Sequence, residues 1–190
     1  PRRYCATPGA KRFRCHDPVS TISDDRQAPM IVRPDVRFLL AHPAHFLALG
    51  FGTGLAPVAP GTVGTLLGFP IYAILSEWLA PEEAFAAIAG MFALGMWACG
   101  KTGRDMGIAD HSAMNWDEVV AFLLVLMVTP AGFGWQAFAF FAFRFFDVVK
   151  PEPIRHFDRT LKGGLGVMFD DIVAAFYTVF VMAVVKRFFF

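Results

Sequence analysis

Two short polar islands set between long apolar runs constrain this chain more than anything else in it. The first, residues 101–118, reads KTGRDMGIADHSAMNWDE and carries Asp105, Asp110, His111, Asp117 and Glu118. AFAAIAGMFALGMWAC runs into it and VVAFLLVLMV runs out. The second, residues 144–171, RFFDVVKPEPIRHFDRTLKGGLGVMFDD, also ends on an acid pair followed by an apolar run. Ionisable groups at the mouths of apolar helices are costly and call for a functional reason. Of the 190 residues 56% are hydrophobic, 22 are Phe and only 17% are charged, whereas a typical soluble domain is about 25% charged. That apolar surface exceeds what a small soluble core can absorb, so the bilayer is the expected solvent. The fold class is all-α, a multi-pass membrane helical bundle in one domain.

Residues 1–37 hold eight Lys/Arg and four Asp among scattered Pro and Ser. They are expected as a basic, disordered cytoplasmic tail, without a signal peptide because no apolar core follows the basic start. The membrane-embedded domain is expected over 38–190. Its first stretch, FLLAHPAHFLALGFGTGLAPVAPGTV, turns into a Gly/Pro run that forbids one regular spanning helix. A short helix followed by a tight or re-entrant loop fits it better. Four apolar segments follow at 64–80, 84–100, 118–134 and 171–188, with a marginal fifth at 135–149, so four or five membrane segments are expected. Gly64 and Gly68 form a small-xxx-small step suited to close helix packing. Cys5, Cys15 and Cys99 make no CxxC pair and suggest neither disulfide framework nor zinc site.

Lys and Arg set the orientation. The tail has eight, the first island two and the second five, whereas 81–83 and 129–135 have none. The tail and both islands therefore belong on the cytoplasmic side. Helices opening at Asp117–Glu118 and at Asp170–Asp171 would then start at one level, and four carboxylates could converge. Acids at helix N-termini can merely complement the macrodipole, which accounts for one pair more comfortably than for two.

Other chemistries fit poorly. GMWACGKT at 95–102 matches the letters of a phosphate loop, but it closes an apolar helix where a strand–loop–helix is needed. GFGTG at 50–54 lacks the strand–helix unit of a dinucleotide site. Six residues after Cys99 stands Asp105 and not Arg, which rules out the thiolate phosphatase spacing. His16, His42, His45, His111 and His156 do not pair at metal-ligand spacing in the islands, so His111 is expected as a hydrogen-bonding partner.

Four strings in order, LGFGTGLAPVAPGTVGT, RDMGIADHSAMNWDE, FRFFDVVKPEPIRHFDR and GGLGVMFDDIVA, resemble the phosphatidylglycerophosphatase A family. The resemblance covers about residues 38–185 and leaves the tail outside. Asn115, where an apolar residue is expected, and Ala175, where Gly is usual, depart from it. The resemblance implies a magnesium-dependent bacterial inner-membrane phosphatase with a cytoplasmic active site. Such an enzyme takes the terminal phosphate from phosphatidylglycerophosphate to give phosphatidylglycerol. Clustered carboxylates without Cys or paired His agree with a hard, oxygen-preferring cation such as Mg2+.

On that reading Asp117, Glu118, Asp170 and Asp171 form the metal group, with Asp117 and Asp171 also catalytic. Asp105 and Asp147 are outer ligands or water-orienting bases. Arg155 leads the phosphate contacts and Lys150 comes second, with Arg144 and Lys162 as further clamps. Gly164, with Gly163 and Gly166, lets backbone approach phosphate or simply makes a turn. The partners are the lipid substrate and the bilayer, with no nucleic acid. The alternative is a small cation-binding membrane transporter or channel subunit, which does not explain the basic residues interleaved with the acids of the second island.

Overall fold

The computed structural model describes residues 34–108, 110–150 and 163–189, and among them every regular element is helical. Helix α1 (Val36–Ala41) starts two residues before the expected domain boundary because Asp35 Oδ1 accepts from Phe38 N at 2.8 Å. Pro43 ends it, since the residue before a proline is driven extended and His42 sits at φ −153° and ψ 140°. The same proline opens α2 (Pro43–Ala48), where a missing N–H is no loss. A 3₁₀ segment follows at Gly50–Leu55, turned by Gly50 and Gly52 at φ +54° and +100°. The expected short helix and tight loop are thus two short helices and a 3₁₀ turn.

Four long helices and one short one complete the described bundle. These are α3 (Pro60–Trp78), α4 (Pro81–Met106), α5 (Trp116–Val128), α6 (Phe133–Val149) and α7 (Gly164–Phe189). Helix α5 is the axis. It packs against α3, α4, α6 and α7, and Val119 to Leu123 with Val125 are wholly buried. Its thirteen residues cover about 20 Å at the helical rise, short of the ~30 Å hydrocarbon core. Segment 118–134 is therefore not one spanning helix: Pro130 follows the end of α5. A helix apolar all round is explained here by burial inside protein.

Small residues set the closest crossing. Gly61, Gly64 and Gly68 form one face of α3, and α5 presents Glu118, Asn115 and Phe122 to it. A Cβ at Gly64 would stand 2.6 Å from Asn115 Nδ2, and one at Gly68 2.8 Å from Phe122 Cδ1. The expected close approach at Gly64 and Gly68 is met, and Gly61 extends it by one turn.

Among the described residues two helices, Pro81–Met106 and Gly164–Phe188, are long and apolar enough to cross a membrane. The four or five spans expected are not all of that kind. Large apolar side chains nevertheless face outward along the bundle, among them Trp78, Phe141, Phe176 and Phe180, more than a soluble surface ordinarily carries. Helix α7 also begins earlier than expected. The acid pair Asp170–Asp171 lies inside it, about 10 Å along from Gly164. The helix dipole acts within the first turn, so it accounts for Asp117–Glu118 on α5 but not for Asp170–Asp171.

Candidate functional site

A cavity of about 270 Å³ opens where the N-termini of α3 and α5 meet the C-terminus of α6 and the early turns of α7. Asp117 and Glu118 come from α5, Arg144, Asp147 and Lys150 from the end of α6, and Asp170 and Asp171 from α7. Asp110, Ser112 and Met114 of the first island and Ala59, Pro60 and Gly61 complete the lining. Both islands thus contribute to one site. Six carboxyl groups face two basic ones, a formal charge of −4 with all ionised.

The basic groups are engaged. Arg144 Nη1 donates to Glu118 Oε2 at 2.5 Å and lies 2.7 Å from Asp147 Oδ2, one turn along α6. Thr65 Oγ1 stands 2.8 Å from Glu118 Oε2 and 3.0 Å from Gly61 O, so its single proton serves two acceptors. Lys150, which caps α6 in the left-handed region, pairs with Asp170. Asp171 is different. It is 3% exposed, and its Oδ2 is buried without a hydrogen-bond partner. Asp117 is 7% exposed; its Oδ1 accepts from Glu118 N at 3.0 Å. Burial first, and then the carboxylates of Glu118, Asp110 and Asp170, push the Asp117 carboxyl well above its ordinary range.

These observations fit a hard cation. An unmet carboxylate oxygen in a site of formal charge −4 is what a divalent ion satisfies. Among the described residues no three His, Cys, Asp or Glu side chains converge to metal-binding distance. Mg2+ asks for less, since it is commonly held by one or two carboxylates together with substrate phosphate and water.

Not every expected residue joins the cavity. Asp105 lies outside its lining, where it accepts from Lys101 and stands 2.7 Å from His45 Nε2. His45 is buried, stacks on Phe38 and places Nδ1 2.9 Å from Phe38 O, so Asp105 fastens the α1–α2 hairpin to α4. Gly164 is also elsewhere: a Cβ there would run into Met96 O and Gly100 N of α4. Its small size serves the α4–α7 crossing. Arg155 and Lys162 lie outside the described residues. His111 Nδ1 accepts from Ala113 N at 3.1 Å, the hydrogen-bonding role expected of it.

Sequence reading missed three contributors. Asn115 is fully buried and donates through Nδ2 to Thr53 Oγ1 and Pro60 O, each at 3.0 Å, while its own N–H donates to Ala48 O. It stitches the Gly/Pro segment to the start of α5, so a polar residue suits that position. Thr65 and Gly61 support Glu118 from α3. The signal for Gly61 was present in the small-residue step; Asn115 stood out only as a polar departure from the family pattern, and nothing local marked Thr65.

An acid-lined cavity with two cationic side chains, in a bundle with two helices long and apolar enough to cross a membrane, defines a class: an all-helical protein of membrane type with a charged cavity. Comparison with known proteins makes this specific. The profile of the family Phosphatidylglycerophosphatase A matches residues 46–186. Phosphatidylglycerophosphatase A of Haemophilus influenzae is 43% identical over 154 residues, covering 80% of this chain and 94% of that protein. The Escherichia coli protein of the same name is 39% identical over 140 residues, 73% of this chain and 80% of the relative. A Bacteroides thetaiotaomicron protein, whose name provisionally assigns it phosphatidylinositol-3-phosphatase activity, is 37% identical over 148 residues, 74% and 91%. No solved structure matches significantly. The chain belongs to the phosphatidylglycerophosphatase A family.

Proposed function

We propose that the chain removes the terminal phosphate of phosphatidylglycerophosphate, giving phosphatidylglycerol and inorganic phosphate in phospholipid biosynthesis. One observation carries the location of the chemistry: acids of both islands and the cations Arg144 and Lys150 line a single cavity in a chain of this family. A transporter or channel subunit is not favoured, since the family profile and the two more similar relatives bear a phosphatase's name.

The reading extends to Mg2+ dependence. A phosphomonoester brings roughly 1.5–2 negative charges to a cavity that already sets six carboxyl groups against two basic ones. Asp117 and Asp171 lead the residues that would hold the ion. Asp170 stands behind them, already engaged by Lys150, whereas Glu118 is turned toward Arg144. When bound, Mg2+ supplies charge compensation at the phosphoryl oxygens and lowers the pKa of water. The protein's own part is electrostatic and positional. Lys150 can leave Asp170 for the substrate's phosphate, and Arg155 is assigned the bidentate contact. Asp147 is placed to orient a water. Exposed aromatic faces on α6 and α7 hold the bundle in the bacterial inner membrane as a multi-pass protein, with the cavity toward the cytoplasm and the acyl chains in the bilayer.

The test compares purified protein on phosphatidylglycerophosphate and phosphatidylinositol 3-phosphate in mixed micelles, with Mg2+ and with EDTA. Faster Mg2+-dependent release from the first lipid is expected. Preferential release from the second would move the substrate to the Bacteroides relative's named activity, and equal rates in EDTA would remove the metal.

A further inference from the structure

Arg144 is held by three helices at once. Its Nη1 donates to Glu118 of α5 at 2.5 Å, sits 2.7 Å from Asp147 of α6 itself, and is 3.3 Å from Thr65 Oγ1 of α3. Nη1 has two protons, and two carboxylates already claim them. With Nη1 so engaged, only the Nε–Nη2 edge of the guanidinium is left for any other acceptor. The three charged side chains are 17%, 14% and 11% exposed, so the network is largely out of water. Thr65, fully buried, adds its hydroxyl to the same Glu118 oxygen.

Gly61 completes the arrangement. A Cβ at that position would collide with Glu118 Oε1 and lie 2.8 Å from Oε2 and from Cδ. A bare backbone is therefore what admits the Glu118 carboxylate against α3. Glu118 Oε2 thus meets both Thr65 and Arg144 on the α3–α6 side, whereas Asp171 Oδ2 has no partner.

We infer that Gly61, Thr65, Glu118, Arg144 and Asp147 form a clasp joining α3, α5 and α6, in which Glu118 is a positioning residue and not a metal ligand, and Arg144 holds it in place. The clasp fixes the wall beside Asp117, whose backbone continues directly into Glu118. It rests on the proposed metal site and divides four of that site's six acids into two sets: Asp117 and Asp171 toward the cation, Glu118 and Asp147 toward Arg144. Breaking one partner should leave the other an uncompensated, mostly buried charge.

The test reads Mn2+ binding by electron paramagnetic resonance, as a stand-in for Mg2+, on the full chain purified in detergent, together with Tm in EDTA. Asp171→Asn should weaken Mn2+ by at least ~10-fold, the scale of disturbing a metal's ligand shell. Glu118→Gln should leave Mn2+ affinity unchanged within error and lower Tm. Arg144→Met should lower Tm too, and adding Glu118→Gln to it should cost little more or restore part of the loss. Gly61→Ala should mimic Glu118→Gln; if it does not accumulate, Thr65→Val probes the same clasp more gently. Mn2+ binding lost equally in Glu118→Gln and Asp171→Asn would overturn the inference. So would strictly additive Tm losses in the Arg144 and Glu118 pair. If the parent protein binds no Mn2+, the metal reading fails, and the Tm coupling still decides the clasp.

Discussion

Replacing Asp171 with Asn should make this protein more stable and far less active. The Asp171 side chain is buried inside α7, 3% exposed, with Oδ2 unmet by any donor. An unmet buried polar group costs about 1–3 kcal/mol, and more when charged. Asn keeps the shape and leaves a polar atom in place but removes the charge, so the gain without metal should fall near the lower end, about 1 kcal/mol. For a chain of this size that is a rise of roughly 2–4 °C in Tm. Mg2+ should raise the Tm of the parent and do little for the variant, because a ligand stabilises only what binds it. Turnover should fall by about 10²-fold or more, the typical cost of removing one electrostatic contributor to a reacting centre. Thermal unfolding in micelles with EDTA and with Mg2+, alongside phosphate release, reads all three. A variant that melts below the parent in EDTA, or that turns over at a near-parental rate, refutes the reasoning.

Two further predictions separate packing from chemistry. Gly68→Ala would set a methyl 2.8 Å from Phe122 Cδ1, so overpacking should cost about 1–3 kcal/mol, seen as a lower Tm while Mg2+ affinity is kept. Arg155→Lys should lose most turnover at saturating lipid because an ammonium cannot reproduce a planar fork, whereas Arg159→Lys should lose little; equal small losses would pass the phosphate contact to Lys150.

The convergence of Asp117, Glu118, Asp170 and Asp171 was legible because polar islands separated by apolar runs of helical length must return to one end of a bundle. The helix limits were less so. The apolar stretch GLGVMF extends α7 back over the second acid pair, and only tertiary contact with Met96 and Gly100 shows that Gly164 belongs to that helix crossing. Hydropathy also does not separate a span from a core helix. Helix α5 is apolar all round because it is the protein's core, and sequence alone does not distinguish lipid from neighbouring helices as the apolar surrounding. Arg144 was read as a phosphate clamp from its charge and its place beside acids. Its pairing with Glu118 depends on the register between α5 and α6, which no local pattern records. Asp105 resembled the other acids of its island, yet it lies on the other side of the turn at Gly107 and answers His45 and Lys101.

The most direct measurement is phosphate released from phosphatidylglycerophosphate as a function of Mg2+, for the parent chain and Asp117→Asn side by side. We expect saturable Mg2+-dependent release matched by phosphatidylglycerol formation in the parent, none in EDTA, and a loss of about 10²-fold or more in the variant. Release that ignores Mg2+, or a variant that cleaves as fast as the parent, would contradict a metal-assisted reaction in the carboxylate cavity.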